Sequence, residues 1–270
     1  MKAKYLLILI VLMSLFQLKA QNHKVSLRCL YTEDYVKDAK NPSQRKQDEF
    51  ALDIKEGGQS AFYSVYERKI KEQRDSMSRL GMTASEIINK QRDLPRTHQY
   101  FEYYKNLPIK GKYTCFDKIV KQYSYECDIP YLKWSIGEET KEILGYNCQK
   151  ATTQIDNRTW EVWFTLEIPI SDGPWLLTGL PGLILEAYDS SNIFHFRAIE
   201  LKQQNIIVEL PTMKKCIKTS RKEFLAFRKK YNDNPEAGLR SLTGYNLKII
   251  GADGKRLQNK KYSLNFFEKE

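Results

Sequence analysis

Short runs of alternating apolar and polar residues recur along the chain, and they predict a β-rich fold. Val25, Leu27, Cys29 and Tyr31 alternate with Ser26, Arg28 and Leu30, the period of a strand with one face buried. Phe50, Leu52 and Ile54 repeat the pattern, and Gly57-Gly58 turns that strand into another over 61–66, a hairpin signal. Further strands are expected over 99–105, 111–117, 119–126, 131–138, 146–155, 158–168, 182–188, 193–200 and 203–216. Asp156-Asn157 is the tightest connection, since Asx residues tolerate left-handed dihedrals. The same stretch, Asn157-Arg158-Thr159, matches a glycosylation sequon, but in a two-residue turn the structural role is the stronger reading. Weak strands near 245–250 and 262–267, with a turn at 251–254, close the chain.

Two stretches break the alternation. Charged residues dominate 67–96, where Thr83 and Glu86 have capping-box spacing and Ile87 and Ile88 offer an apolar side, so one or two surface helices are expected near 67–93. Ser220 and Glu223 repeat the box ahead of Phe224, Phe227 and Tyr231, which predicts a helix over 220–231 docked by its aromatic stripe, ending at Asn232 to Pro235. The fold class expected is mainly β: a curved antiparallel β-meander, half-barrel-like, with one to three peripheral helices. It is similar at the level of fold to the half-barrels that shuttle lipoproteins.

Composition adds a location. Lys2 and Lys4 precede an apolar run from Tyr5 to Leu18 interrupted by Ser14 and Gln17 alone, and Leu18-Lys19-Ala20 offers a small residue for cleavage. This is the pattern of a secretory signal peptide over 1–20, leaving 21–270 as one β-rich domain. The run is shorter than the ~20 residues of a spanning helix, and the first cysteine is Cys29, too far along for a lipid anchor. Of the net charge of +11, residues 201–270 carry 16 Lys/Arg against 7 Asp/Glu, whereas 21–200 carry 25 against 26. The basic excess is therefore a property of the C-terminal quarter, read as a solvated face, and nucleic acid is not expected as a partner. Five cysteines are an odd number, so at least one lies outside any intrachain bridge; Cys115–Cys127 is the pair best placed for one, on neighbouring predicted strands.

The most unusual segment is Ile168-Pro169-Ile170-Ser171-Asp172-Gly173-Pro174-Trp175, followed by Gly179-Leu180-Pro181-Gly182-Leu183-Ile184. Pro181 and Gly182 suit the central positions of a type II turn, with Gly182 at positive φ. Leu183, Ile184 and Leu185 then resume a strand buried on both faces, and Trp175 covers the corner. The hexapeptide Gly179–Ile184 resembles the signature of the GLPGLI family, exported proteins best known from Bacteroidetes. Ser60–Ser64, Trp134, Gly145–Ala151, Trp163-Phe164-Thr165 and Gly173-Pro174 extend the resemblance over roughly 45–200. It implies an exported envelope protein, periplasmic or at the outer-membrane periphery with release to the medium open, and carries no catalytic residue across. The motif residues Gly173, Pro174, Trp175, Gly179, Leu180, Pro181, Gly182, Leu183 and Ile184 are expected to be structural.

Candidate chemistry is sparse. His23, His98 and His195 are far apart, and no metal, phosphate-loop or nucleophile-elbow spacing occurs, so no cofactor is expected. His195 alternates with Phe194 and Phe196 and should face away from them. Glu161, Glu167 and Glu186, with Asp189, fall on neighbouring strands and could converge as a hydrolase pair, although glutamates on a wet sheet face need no such role. Trp134, Trp163 and Trp175 are the candidate ligand or partner contacts; Trp160 and Trp163 have opposite strand parity and cannot share a face. The sequence thus favours a binding or accessory protein for a lipid, a glycan, a peptide or an envelope protein, an apolar ligand or envelope protein being the partner expected, over a carboxylate hydrolase or a structural subunit of an outer-membrane complex.

Overall fold

The computed structural model describes residues 26–36, 38, 41–97, 99–205, 207–211 and 216–244. The signal-peptide segment, His23, His98 and the strands expected beyond 244 lie outside them. The described chain builds one twelve-stranded open sheet: β1 Ser26–Val36, β2 Arg45–Ile54, β3 Ser60–Ser64, β4 Glu102–Lys105, β5 Lys112–Ile119, β6 Lys121–Asp128, β7 Ser135–Ile143, β8 Tyr146–Ile155, β9 Arg158–Thr165, β10 Leu183–Asp189, β11 Phe194–Gln204 and β12 Cys216–Lys218. Helices α1 Val65–Arg79, α2 Ala84–Lys90, α3 Arg221–Asp233 and α4 Pro235–Thr243 accompany it.

The strand order is β12-β6-β5-β4-β3-β2-β1-β11-β10-β9-β8-β7. Two meanders, β1–β6 and β7–β11, therefore meet where β1 pairs antiparallel with β11 through a bulge at Leu30/Tyr31. Every pairing is antiparallel except β12 with β6. That short parallel strand covers one sheet edge. The other edge, β7, is mostly exposed and carries Glu138, Glu139, Lys141 and Glu142, charges that discourage edge-to-edge pairing.

Alternation sorts the residues to two faces. Cys29, Tyr31, Phe50, Leu52, Phe62, Tyr103, Tyr113, Tyr125, Trp160 and Phe196 belong to the main core. Ala51, Ala61, Tyr63, Tyr104 and Phe116 form a smaller cluster on the opposite face, with Val208 against them. Helix α3 lies on the main-core face. Phe224 and Phe227 approach Tyr123 at 5.5 and 5.6 Å between centroids, and Arg228 pairs with Asp117 of β5. Arg221, two turns earlier, pairs with Asp156 in the β8–β9 turn. A single helix touching strands so distant in the order requires the sheet to curl around it.

Several local expectations differ from the structure. The helices number four among the described residues. Asn234 closes α3 but also caps α4 by accepting from the Ala237 N–H, and Pro235 takes the first turn, where its missing N–H costs nothing. Within the expected strand over 203–216, the described residues 205 and 207–211 are not strand: β11 ends at Gln204 and β12 begins at Cys216, and Val208 packs on the smaller cluster. All five cysteines are free. Cys115 lies opposite Tyr125, and Cys127 opposite Tyr113, so the two thiols are offset by two residues along the ladder and no bridge joins them.

Candidate functional site

The segment from Leu166 to Gly182 crosses over from β9 to β10 and folds onto the main core. Trp175, Leu176, Leu177 and Leu180 are buried beneath it, with Trp175 stacked at a tilt on Trp160, 5.8 Å between centroids. Trp175 has φ 54°, a left-handed conformation that a bulky residue holds only under surrounding constraint. The constraint is visible. Lys105 Nζ, from β4, pairs with Asp172 Oδ1 and donates to the carbonyls of Gly173 and Trp175 at 2.9 and 3.0 Å. Tyr31 OH donates to the Ile184 carbonyl at 2.7 Å, and Trp134 Nε1 to that of Thr178 at 3.0 Å.

The glycines of this segment act differently from expectation. Gly182 is not in the left-handed region, so the type II turn at Pro181-Gly182 is absent; Gly179 holds positive φ instead, at 101°. Gly182 is required by proximity. A Cβ there would stand 1.9 Å from the Thr165 carbonyl oxygen, and one on Gly173 2.8 Å from Ile184 Cβ. Trp175, expected as a corner cover, is wholly buried, and Leu183, Ile184 and Leu185 are buried as the sequence predicts.

Glu161 and Glu186 share one sheet face, a diagonal step apart around Trp163, and each is paired with a lysine. In register, Glu186 faces Trp163 and Glu161 faces Tyr188. Glu186 is tied to Lys141 and to His195 Nε2 at 2.7 Å, while Glu161 pairs with Lys150 at 3.1 Å. Burial alone would push the Glu186 carboxyl up, but these two partners hold it down to about 2. A general acid needs the reverse shift. Glu167 is exposed and accepts the Asn147 N–H at 2.8 Å. Asp189 is buried on Arg158 at 2.7 Å and accepts the N–H groups of Ile193 and Phe194, which makes it a turn anchor. The strand pairing expected of Glu161 and Glu186 is present, with both acids engaged by lysines and Glu186 also by His195. Nor do Trp134, Trp163 and Trp175 share a site: Trp163 lies on the face opposite Trp160 beneath Lys141, 4.2 Å from the ring centre.

Two constellations have no signal in the sequence. The first is Lys105 with Asp172, joined from 67 residues apart. The second is Glu33 opposite Asp48 on β1 and β2, both buried. Gln99 donates to Glu33, and Thr97 and Ser64 to Asp48. Burial, reinforced by the Asp48 charge, raises the Glu33 carboxyl well above the usual range. Burial also lifts Asp48 to about 6 against its hydrogen bonds. Among the described residues, no three of His, Cys, Asp and Glu gather in a metal-binding group.

The open spaces lie at the margins. A cleft of about 540 Å³ is bounded by Leu27, Ile54, Lys55, Lys110, Ile129 and Ile170 beside the crossover. Another, of about 620 Å³, lies on the opposite face by Arg28, Asp53, Tyr63 and Arg68.

Residues 74–228 match the family model described as N-glycanase peptide, N-terminal domain. The chain belongs to that family. The matched span holds the crossover, Lys105 and most of the sheet from β4 onward. A solved structure of PNGF-II in a P21 crystal form shares 17% identity, with 74% of this chain and 32% of that one covered, at a TM-score of 0.48. A second PNGF-II structure, in C2, gives 16%, the same coverage and 0.49. A putative outer membrane lipoprotein-sorting protein domain from Vibrio parahaemolyticus shares 9% identity over 68% of this chain and 87% of that one, at 0.23. The chain thus spans about a third of the length of the PNGF-II structures. No curated protein matches it. None of the helices described in this family member is long and apolar enough to cross a membrane.

Proposed function

We propose that the chain is an exported binding or accessory protein of the cell envelope, in the periplasm or at the outer-membrane periphery, with no reaction of its own. The observation that carries this reading is the pairing of its candidate acids. Glu186, Glu161, Asp189 and Asp172 each face a cation of the chain itself, so they support the scaffold and are not poised for proton transfer. The hexapeptide Gly179–Ile184 supports the narrower assignment to the GLPGLI family, with the motif acting as a structural crossover. The name of the matched family supports a place near glycoprotein processing, as a partner of the reaction.

The test has two parts. Residues 21–270, purified, are incubated with a denatured N-glycosylated protein, and released glycan is measured; none is expected. The chain is then captured from native envelope, and co-purifying molecules are identified by mass spectrometry; a bound ligand or envelope partner is expected. Glycan release that Glu186→Gln or Glu161→Gln abolishes would establish the hydrolase and overturn this reading.

A further inference from the structure

We infer that the 540 Å³ cleft beside the crossover binds a single-chain amphipathic anion, a fatty carboxylate, with its chain against Leu27, Ile54, Ile129 and Ile170 and its head toward Lys55 and Lys110. This deepens the binding reading above and rests on it. The size falls within the roughly 300–1,000 Å³ of small-molecule sites.

The cleft is built from three connections: the β2–β3 turn, the β4–β5 turn and the crossover. The β4–β5 turn is fastened to the β2–β3 turn, the crossover to Lys105 of β4, and each is braced internally before any ligand arrives. Asn106 Nδ2 donates to the Gly58 carbonyl at 2.7 Å, and its Oδ1 accepts the Gly111 N–H at 2.9 Å. Ser171 Oγ accepts the Gly179 N–H at 3.0 Å, and Thr178 Oγ1 donates to the Ser171 carbonyl at 2.7 Å. Walls held in this way lose little freedom on binding.

The same bonds decide the chemistry of the occupant. A sugar or peptide needs several convergent donors and acceptors, yet Asn106 Oδ1, one Asn106 amide hydrogen, Ser171 Oγ as acceptor and the Thr178 hydroxyl proton are already engaged within the chain. At the floor, Lys105 and Asp172 neutralise each other. What remains for a ligand is an apolar wall, to which Pro169 also contributes, and a charged rim of Lys55 and Lys110 against Glu56. An apolar chain ending in a negative group complements both parts, and a cationic amphiphile does not.

Isothermal titration of residues 21–270 at neutral pH tests this with octanoate, decanoate, dodecanoate, dodecanol and dodecyltrimethylammonium, all below their micellar concentrations. Affinity should rise up to roughly fourfold per methylene along the carboxylate series. Dodecanol should bind at least about fivefold more weakly than dodecanoate, and the ammonium more weakly still. Lys55→Gln with Lys110→Gln should erase the head-group preference and leave the chain-length trend. Ile170→Asp, on the partly exposed rim, should abolish binding with an unchanged circular-dichroism spectrum. Should that variant not fold, Ile129→Asp replaces it. Absence of saturable dodecanoate binding, equal binding of dodecanol, or binding indifferent to these variants would overturn the site. If glycan release is also absent, the accessory reading stands while the site falls.

Discussion

Lys105 on β4 and Asp172 in the crossover form a buried ion pair that fastens the crossover to the far half of the sheet. The Lys105 ammonium also holds the carbonyls of Gly173 and Trp175, so removing it strands a carboxylate and two acceptors inside the core. Breaking one partner of such a pair costs about 3–5 kcal/mol. Lys105→Met should lower the unfolding free energy measured in urea by that amount, and adding Asp172→Asn should recover part of it by removing the orphaned charge. A Lys105→Met variant as stable as the parent would show that the crossover is anchored by its apolar residues alone.

The glycines of the crossover should rank by what their missing side chains would strike. Gly182→Ala places a methyl group 1.9 Å from the Thr165 carbonyl oxygen, a backbone atom that cannot yield without breaking the β9–β10 junction, and should give no soluble folded protein. Gly173→Ala meets Ile184 Cβ at 2.8 Å and the Leu177 carbonyl at 2.9 Å, and should fold with a much lowered Tm. Gly179→Ala has room, its nearest neighbour being Trp134 at 3.4 Å, but must hold φ 101°, which costs about 1–2 kcal/mol. Thermal melts of the three variants check the order.

What the sequence reveals of this fold is its local grammar. The β8–β9 hairpin is legible because Asp156 and Asn157 both take positive φ, 51° and 56°, and the capping boxes of Thr83 and Ser220 form as spaced. Tyr146–Ile155 is a strand over the whole expected range. Long-range placement is a different matter. Whether Lys105 is a surface lysine or a buried anchor depends on a crossover 67 residues away, and strand alternation says only which face it takes. Gly182 shows the same limit: its glycine is legible, but the reason is Thr165 across a tight junction, where local turn rules point to positive φ. Asn234 could end one helix or begin another, and only the chain's return decides.

Buried Glu33 and Asp48 should make the protein less stable as pH rises. Each carboxyl is raised in the folded state, so the folded chain holds protons that the unfolded chain releases. For Asp48 the stabilisation is complete below its ordinary 3.8 and is lost as pH climbs through about 6, on the order of 3 kcal/mol by neutral pH. Urea midpoints measured between pH 4 and 7.5 should therefore fall with pH. Asp48→Asn, which keeps the shape without the titration, should flatten its share of the slope. An Asp48→Asn profile parallel to the parent would mean that the charge of Asp48 is solvated and the pair inert.

Glu186 should govern the acid limb, with the opposite sign. Its carboxyl, buried but held by His195 and Lys141, lies near 2 against an ordinary 4.5. The folded state therefore prefers the carboxylate, and the stabilisation present above 4.5 is lost as pH falls through 2. Because Lys141 and His195 are about a third exposed, solvent screens the pair and the contribution is on the order of 2 kcal/mol. Glu186→Gln keeps the shape and one acceptor oxygen, as the protonated carboxyl does, but no charge, so it should be less stable than the parent by that amount at pH 6 and converge with it near pH 2. Urea denaturation from pH 2 to 6 on both proteins reads the difference directly. A gap that stays constant down to pH 2 would assign the loss to packing around Trp163, and would remove the ion pair as the reason Glu186 remains charged in a sheet face it shares with an aromatic ring.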